Sequence, residues 1–237
     1  ASGLVGEGRM AEPDEIVEHI NCDLSKNLPL SDKIILITAG PTYEAIDPVR
    51  FIGNRSSGKM GVSLALECAN NGAKVHLILG PSNIGVKHSN IKIYRVESAA
   101  EMFDVTNNYF KISDISIFAA AVSDYKASCI SKNKIKKSDN KLSISFLKNI
   151  DILSEMASKK TSRQFVVGFA LETNNELINA KEKLKTKNLD MIVLNSLNDE
   201  KSGFKYNTNK ITIIDKKYNI YNYELKDKLE VAKDIIN

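Results

Sequence analysis

The chain has no tryptophan, and only three cysteines and three histidines in 237 residues. The missing tryptophan excludes recognition by indole stacking. Cys22, Cys68 and Cys129 lie far apart with no CxxC pair. That argues against a disulfide framework or structural zinc site and points to a reducing cytosol. His19, His76 and His88 show no HxxxH spacing, so no metal-ligand pattern recruits them, and they read as structural or surface residues. No apolar run approaches the roughly 20 residues that cross a membrane. No secretory signal is visible either. Charge of one sign is also scarce: 33 basic and 29 acidic residues leave a net +4. Such a mild excess suits small anionic substrates rather than nucleic acid, whose binders are more basic and more clustered. There is no internal repeat, and lysine and asparagine are spread evenly.

What the chain does have is an apolar fraction of 43%, enough for one sizeable core or a core with a small subdomain. Residues 1–30 read as a leader. Gly3, Gly6, Gly8 and Pro13 break any pattern there, and Asp14–His19 is at most a short helix. From Ile34 onward strands and helices alternate. Strands are predicted at 34–38, 74–79, 91–96, 115–122, 165–169 and 190–194. Helices are predicted at 58–71, 99–110, 151–159 and 176–187, with Asn71-Gly72 closing the first. Apolar strands in repeated β-α-β units predict a doubly wound, Rossmann-like α/β fold with a mostly parallel sheet. Two stretches depart from this rhythm. Residues 126–148 hold a lysine-rich loop and then KLSISFLK, which alternates like an exposed strand. Residues 203–224 read as an antiparallel hairpin, KITIID against YNIYNYEL, before a terminal amphipathic helix over 225–236.

The chemistry concentrates between Ile34 and Gly61. A buried strand ends at Ala39-Gly40-Pro41, and a polar loop carrying Arg50, Asn54, Arg55, Ser56 and Ser57 opens into a helix near Gly58-Lys59. Free amide N–H groups and the helix dipole at such a terminus suit a phosphate. Gly53–Lys59 fits GxxxxGK, but Met60 stands where a nucleoside-triphosphatase loop needs the Ser/Thr for Mg²⁺, and no strand runs directly into Gly53. A different phosphate loop fits better, with a purely structural loop as the plain alternative. The first βα turn reads Gly40-Pro-Thr-Tyr-Glu instead of GxGxxG, which weakens a nicotinamide-binding reading. At Ala119-Ala-Ala-Val-Ser-Asp124, small residues at a strand's C-terminal end let a ligand approach the backbone. Asp124 there is either a ribose or Mg²⁺ partner or a turn cap. Lys134-Ile-Lys136-Lys137 is either a solvated face or a mobile loop that closes over a triphosphate. Lys183 and Lys187 lie one helical turn apart, near a strand ending at Gly168-Phe169.

Taken in order, ITAGPTYEAIDPVRFIGNRSSGKMG, AAAVSDY, KIKK, LKNIDIL, VVGFALETNN and the Lys183/Lys187 pair resemble phosphopantothenoylcysteine synthetase, the second activity of the bifunctional bacterial coenzyme A biosynthesis protein. The resemblance covers residues 31–237. It implies a ligase joining 4′-phosphopantothenate to L-cysteine, with CTP as co-substrate, an acyl-cytidylate intermediate, Mg²⁺, and a homodimer. By the same resemblance Asn54 and Lys134 are catalytic. Arg50, Asn54 and Ala121 face the substrate, and the loop Ser56, Ser57, Gly58 and Lys59 cradles either the substrate phosphate or the triphosphate. Asp124, Lys134, Ile150, Asp151, Ile152, Leu153, Phe169, Lys183 and Lys187 bind CTP; no metal ligands are assigned. Residues 1–21, with GxGRMAEP, are similar to the tail of the fused decarboxylase domain, so residues 1–30 read as that tail and a linker. Ser2 stands where that domain's catalytic cysteine is expected, so neither decarboxylation nor FMN is expected here. Ile150 also replaces a proline of the family pattern. The competing classes are a nicotinamide-dependent reductase and a non-catalytic nucleotide sensor, which the fold alone permits.

Overall fold

Isoleucine, valine and leucine dominate six short segments, and these pair in parallel, as strands buried on both faces must. The computed structural model describes residues 10–26, 28–136, 141–196 and 206–237. It begins with α1 (Pro13–Lys26), β1 (Ile34–Ala39), β2 (Tyr43–Ala45), β3 (Phe51–Gly53), α2 (Lys59–Asn70), β4 (Lys74–Leu79) and β5 (Ile91–Arg95). The middle holds α3 (Ala99–Phe110), β6 (Ile115–Phe118), β7 (Tyr125–Ala127), β8 (Phe146–Lys148), α4 (Ile152–Ser158) and β9 (Phe165–Glu172). It ends with α5 (Glu176–Thr186), β10 (Met191–Ser196), β11 (Thr208–Asn209), β12 (Ile211–Asp215), β13 (Ile220–Asn222), β14 (Lys226–Asp227) and α6 (Lys228–Ile236).

The main sheet runs β13-β12-β10-β9-β6-β1-β4-β5, with β12 and β13 antiparallel at one edge. Among the six parallel strands the spatial order is third, second, first, fourth, fifth, sixth along the chain. That is the doubly wound order, and its winding reverses between β1 and β6, where such sheets open a crevice. Strand alternation feeds two cores. Ile35 and Ile37 pack with Leu64 and Cys68 of α2 and Val231 and Ile235 of α6. Leu36 packs on the opposite face with Met102 of α3, Met156 of α4 and Leu184 of α5. Each such fully buried aliphatic side chain contributes roughly 1.5–3 kcal/mol.

The parallel sheet, the β12–β13 hairpin and the helix stop at Asn71-Gly72 agree with the expectations from sequence; Gly72 has φ +95°. Several boundaries move. The expected strand 115–122 is a continuous strand only over Ile115–Phe118; beyond it the pairing with β1 persists as one parallel bridge, Ala121 to Pro41. The strand expected at 165–169 runs on to Glu172, and that at 190–194 becomes Met191–Ser196. Of KLSISFLK only Phe146–Lys148 pairs, with β7. The helix at 14–19 extends over Pro13–Lys26, and the last helix starts at Lys228. The polar loop after β1 contains the β2–β3 hairpin, held by stacked Tyr43 and Phe51 rings with centroids 3.9 Å apart. Ser2, the GxGRM segment and Lys137 lie outside the described residues.

Gly61 sets how closely α2 approaches β1. A Cβ there would stand 2.4 Å from the Ala39 Cβ and 3.2 Å from its Cα. Neither atom can swing away, so Gly61→Ala forces α2 off the sheet. The expected cost is about 1–3 kcal/mol in urea unfolding. A variant as stable as the parent would show that α2 has slack against β1.

Candidate functional site

Where the winding reverses, the loops after β1 and β6 part, and a cleft of about 470 Å³ opens at the C-terminal ends of β1, β6 and β9. Three segments wall it: Asn54–Gly61, Phe118–Asp124 and Lys148–Leu153. Thr38, Phe169–Leu171, Lys187, Asn195, Asn209 and Lys228 complete the lining.

Backbone bonds fix the second wall. The Ala121 N–H donates to the Gly40 carbonyl at 2.8 Å, and the Ser123 N–H to Thr42 Oγ1 at 3.0 Å. Asn54 Nδ2 donates to the Val122 carbonyl at 2.8 Å, clamping the first wall to the second. The third wall hangs from the same loop: the Asn149 N–H donates to the Asp124 carbonyl at 2.7 Å, and Asn149 Nδ2 to the Ser123 carbonyl at 3.2 Å.

The first wall ends at the α2 N-terminus. Gly58 takes φ +80°, which a side chain disfavours, and it lies against Gly40, itself at φ +81°. No side chain caps α2 and no acid sits in its first turn. The Met60 and Gly61 amides of the first turn are therefore available to an anion. The Ser56 and Ser57 hydroxyls accept from the Gly58 and Lys59 N–H groups at 3.3 and 3.4 Å.

On the third wall Asp151 caps α4, accepting from the Ser154 N–H at 3.0 Å, and its other oxygen accepts from Lys187 Nζ at 2.7 Å. Burial works against its charge, yet these bonds win and hold the carboxyl below its ordinary range. Lys183 lies off the cleft lining and is paired to Glu172. There, too, burial opposes the carboxylate, and the bonds from Lys183 and Asn179 overcome it.

The structure thus brings Asn54, Ser56, Ser57, Gly58, Lys59, Ala121, Asp124, Ile150, Asp151, Ile152, Leu153, Phe169 and Lys187 around one cleft. Arg50, Lys134 and Lys183 stand outside its lining. Arg50 and Lys134 are nevertheless tied together. The Arg50 guanidinium pairs with Asp47 and donates to the Ile135 carbonyl at 3.2 Å, while the Ile135 N–H donates to Asp47 Oδ2 at 3.1 Å. Asp47 is thus the anchor of the exposed loop that carries Lys134. Sequence reasoning passed over Lys228, Asn195 and Asn209. Lys228 is 7% exposed, and Asn209 is 1% exposed with its Nδ2 donating to Asn195 Oδ1 at 3.2 Å.

Burial raises the Asp47 pKa. Hydrogen bonds from the Val49, Ile135 and Arg50 amides and the Arg50 side chain outweigh that and bring it to about 2. The carboxyl titrates near 3.8 when unfolded, so its contribution is complete above that pH and is lost as the pH falls towards 2. Asp47→Asn is therefore expected to lower the melting temperature at neutral pH and to flatten the acid limb of the stability profile. An unchanged acid limb would remove Asp47 as the anchor.

Residues 30–237 match the model of the DNA/pantothenate metabolism flavoprotein C-terminal domain. The chain is 42% identical to the coenzyme A biosynthesis bifunctional protein CoaBC of Haemophilus influenzae, over its whole length and 58% of that protein. It is 50% identical to a cysteine/cysteine sulfinic acid decarboxylase from an unknown prokaryotic organism, again over its whole length and 67% of the relative. The crystal structure of the C-terminal domain of a CoaBC protein superposes with a TM-score of 0.74 at 36% identity, covering 87% of this chain and 93% of that one. The chain spans little more than half of the bifunctional relative, and the part it spans carries the matched domain. By that match, and by a fold that superposes on the CoaBC C-terminal domain, this chain belongs to the DNA/pantothenate metabolism flavoprotein family through that family's C-terminal domain.

Proposed function

We propose that this chain ligates 4′-phosphopantothenate to L-cysteine at the expense of CTP. The observation that carries the reading is the cleft itself, in a chain whose relatives include coenzyme A biosynthesis proteins. An uncapped helix terminus, two serines and Lys59 meet a small-residue loop and an Asp151–Lys187 pair across one crevice. That arrangement suits a phosphorylated acid and a nucleotide lying side by side.

In the first step a carboxylate oxygen attacks the nucleotide α-phosphorus and pyrophosphate leaves. Two anions meet, so the site must supply positive charge and hold the groups in line. Asn54 orients the acyl-phosphate side, the α2 terminus holds phosphate, and Lys134 closes from its exposed loop to stabilise charge at the α-phosphate. In the second step the cysteine amine attacks the acyl carbon, CMP leaves and the amine sheds a proton. No histidine lines the cleft among the described residues.

Mg²⁺ is tested by the available donors. The described residues contain no group of three or more His, Cys, Asp or Glu side chains placed to cage a metal. Asp124 lines the cleft, whereas Asp151 is engaged by Lys187. This donor set fits a magnesium carried by the nucleotide phosphates and water, with Asp124 as its protein ligand. Bound there, the ion would neutralise polyphosphate charge.

A homodimer is part of the proposal, supported by exposed Phe51, Tyr125, Phe146 and Leu147 on neighbouring hairpins. So is a reducing compartment, which suits the free thiols of Cys68 and Cys129. No helix among the described residues is long and apolar enough to cross a membrane. Decarboxylation, which the name of one relative describes, is not proposed for this segment, because the matched domain is the C-terminal one.

The test is pyrophosphate release with Mg²⁺, 4′-phosphopantothenate and each of CTP, ATP, GTP and UTP, with and without cysteine. Cysteine-dependent turnover with CTP, and an acyl-cytidylate trapped without cysteine, are expected. CTP binding with no pyrophosphate under any condition would make the chain a nucleotide sensor instead.

A further inference from the structure

Two helices begin at the same end of the cleft, and each begins with a lysine. Lys59 is the first residue of α2 and Lys228 the first of α6, and both line the cleft. A helix N-terminus carries partial positive charge, so a lysine there works against the local dipole. Lys228 is also buried, with 7% exposure, at a cost that a surface lysine avoids. Its Nζ donates to the Tyr206 carbonyl at 2.8 Å, while Lys59 Nζ donates to Asn207 Oδ1, so consecutive residues aim the two ammonium groups. Burial and the Lys59 charge together pull the Lys228 pKa down to about 8. Glu230, in the first turn of α6, is occupied by Lys233 at 2.8 Å. Asp227 stands at the α6 N-cap but makes no side-chain cap bond. Two lysines held at the starts of two packed helices, one of them buried, mark a position kept for binding.

We propose that Lys228 and Lys59 together grip one phosphate group at the α2–α6 end of the cleft. The proposal rests on the ligase reading, which supplies two sources of that group: the polyphosphate of the nucleotide and the phosphate of 4′-phosphopantothenate. Lys228 acts as a binding residue. It is the buried half of the pair, and its burial strengthens each charge-assisted bond it makes.

The test is calorimetric binding to the intact chain and to Lys228→Met and Lys228→Arg, using CTP against CMP, 4′-phosphopantothenate against pantothenate, and inorganic pyrophosphate. Lys228→Met is expected to lose about tenfold or more in affinity for the ligand whose phosphate it holds, as loss of a charged hydrogen bond does. The partner lacking that phosphate should bind as before, and Lys228→Arg should recover most of the loss. A deficit for CTP but not CMP assigns the nucleotide tail; a deficit for phosphopantothenate but not pantothenate assigns the substrate phosphate. Equal affinities in both pairs, with a lowered melting temperature, would overturn the proposal and leave Lys228 a structural residue. If Lys228→Met does not fold, the wild-type lysine decides. Followed by its ¹³Cε resonance and assigned with Lys228→Arg, its pKa should rise when pyrophosphate is added; an unmoved pKa overturns the proposal. Failure of the ligase reading is separate: it appears as a wild type that turns over no nucleotide, whatever Lys228 does with pyrophosphate.

Discussion

Asn54→Asp is expected to cut acyl-cytidylate formation by about 10²–10³, the scale of losing one donor at a charge-developing centre. Asn54 uses its amide nitrogen to hold the Val122 carbonyl at 2.8 Å, and so joins two walls of the cleft. An aspartate of the same shape reverses both properties. It presents an acceptor to an acceptor, so the clamp opens. It also places a negative charge in a cleft proposed to hold a carboxylate and several phosphates. Because the residue is exposed, global stability should change little, by about 0.5–1.5 kcal/mol for one hydrogen bond. Asn54→Ala separates the two effects, since it removes the clamp without adding charge. Rapid-quench measurement of the cytidylate, beside a melting curve, is the check. Wild-type rates in Asn54→Asp would take Asn54 out of the mechanism.

Much of the fold was readable because its strands are continuous β-branched runs bounded by glycine, proline or asparagine. Ile34–Ala39 and Lys74–Leu79 could hardly be anything else. The end of β6 was harder to place. Ala119–Val122 continues the apolar run, yet past Phe118 the pairing with β1 shrinks to a single parallel bridge, Ala121 to Pro41, which no local pattern shows. The three-residue strands β2 and β3 are too short to show a period, and the Tyr43–Phe51 stack that pairs them is visible only in space.

The site divides in the same way. The loop from Asn54 to Lys59 is legible because strand, loop and helix terminus follow one another along the chain. Lys228 was not, since it reaches the cleft only when α6 packs beside α2. A helix read from residue 225 onward places Lys228 inside its first turn beside Asp227, so the local pattern did not set this lysine apart. Arg50 shows the converse. Its type suited a substrate anion, but Asp47, three residues earlier, takes its guanidinium. Sequence order alone did not reveal that Asp47 is buried to 3% exposure and that its carboxylate needs those donors.

Lys134→Gln should also lower cytidylate formation by about 10²–10³, and here the melting temperature should stay the same. The lysine is exposed on the loop Ser131–Lys136 and lies outside the cleft lining, so removing its charge leaves the core untouched. It can act only if the loop reaches an occupied cleft. The loop is held at two points: the Ser131 N–H donates to the Ile46 carbonyl at 3.0 Å, and Ile135 is bonded to Asp47 and Arg50. Lys134 sits between these tethers, so its reach is set by them. Asp47→Asn should therefore act on the same step as Lys134→Gln, and the double variant should be little slower than Lys134→Gln alone. Additive losses would mean that Asp47 supports the fold and Lys134 works independently of it. Equal loss of stability and rate in Lys134→Gln would remove the lysine from catalysis. If Lys134 is confined to the first step, the variant should aminolyse a preformed acyl-cytidylate with cysteine at the parent rate, which places its charge at the α-phosphate rather than at the acyl carbon.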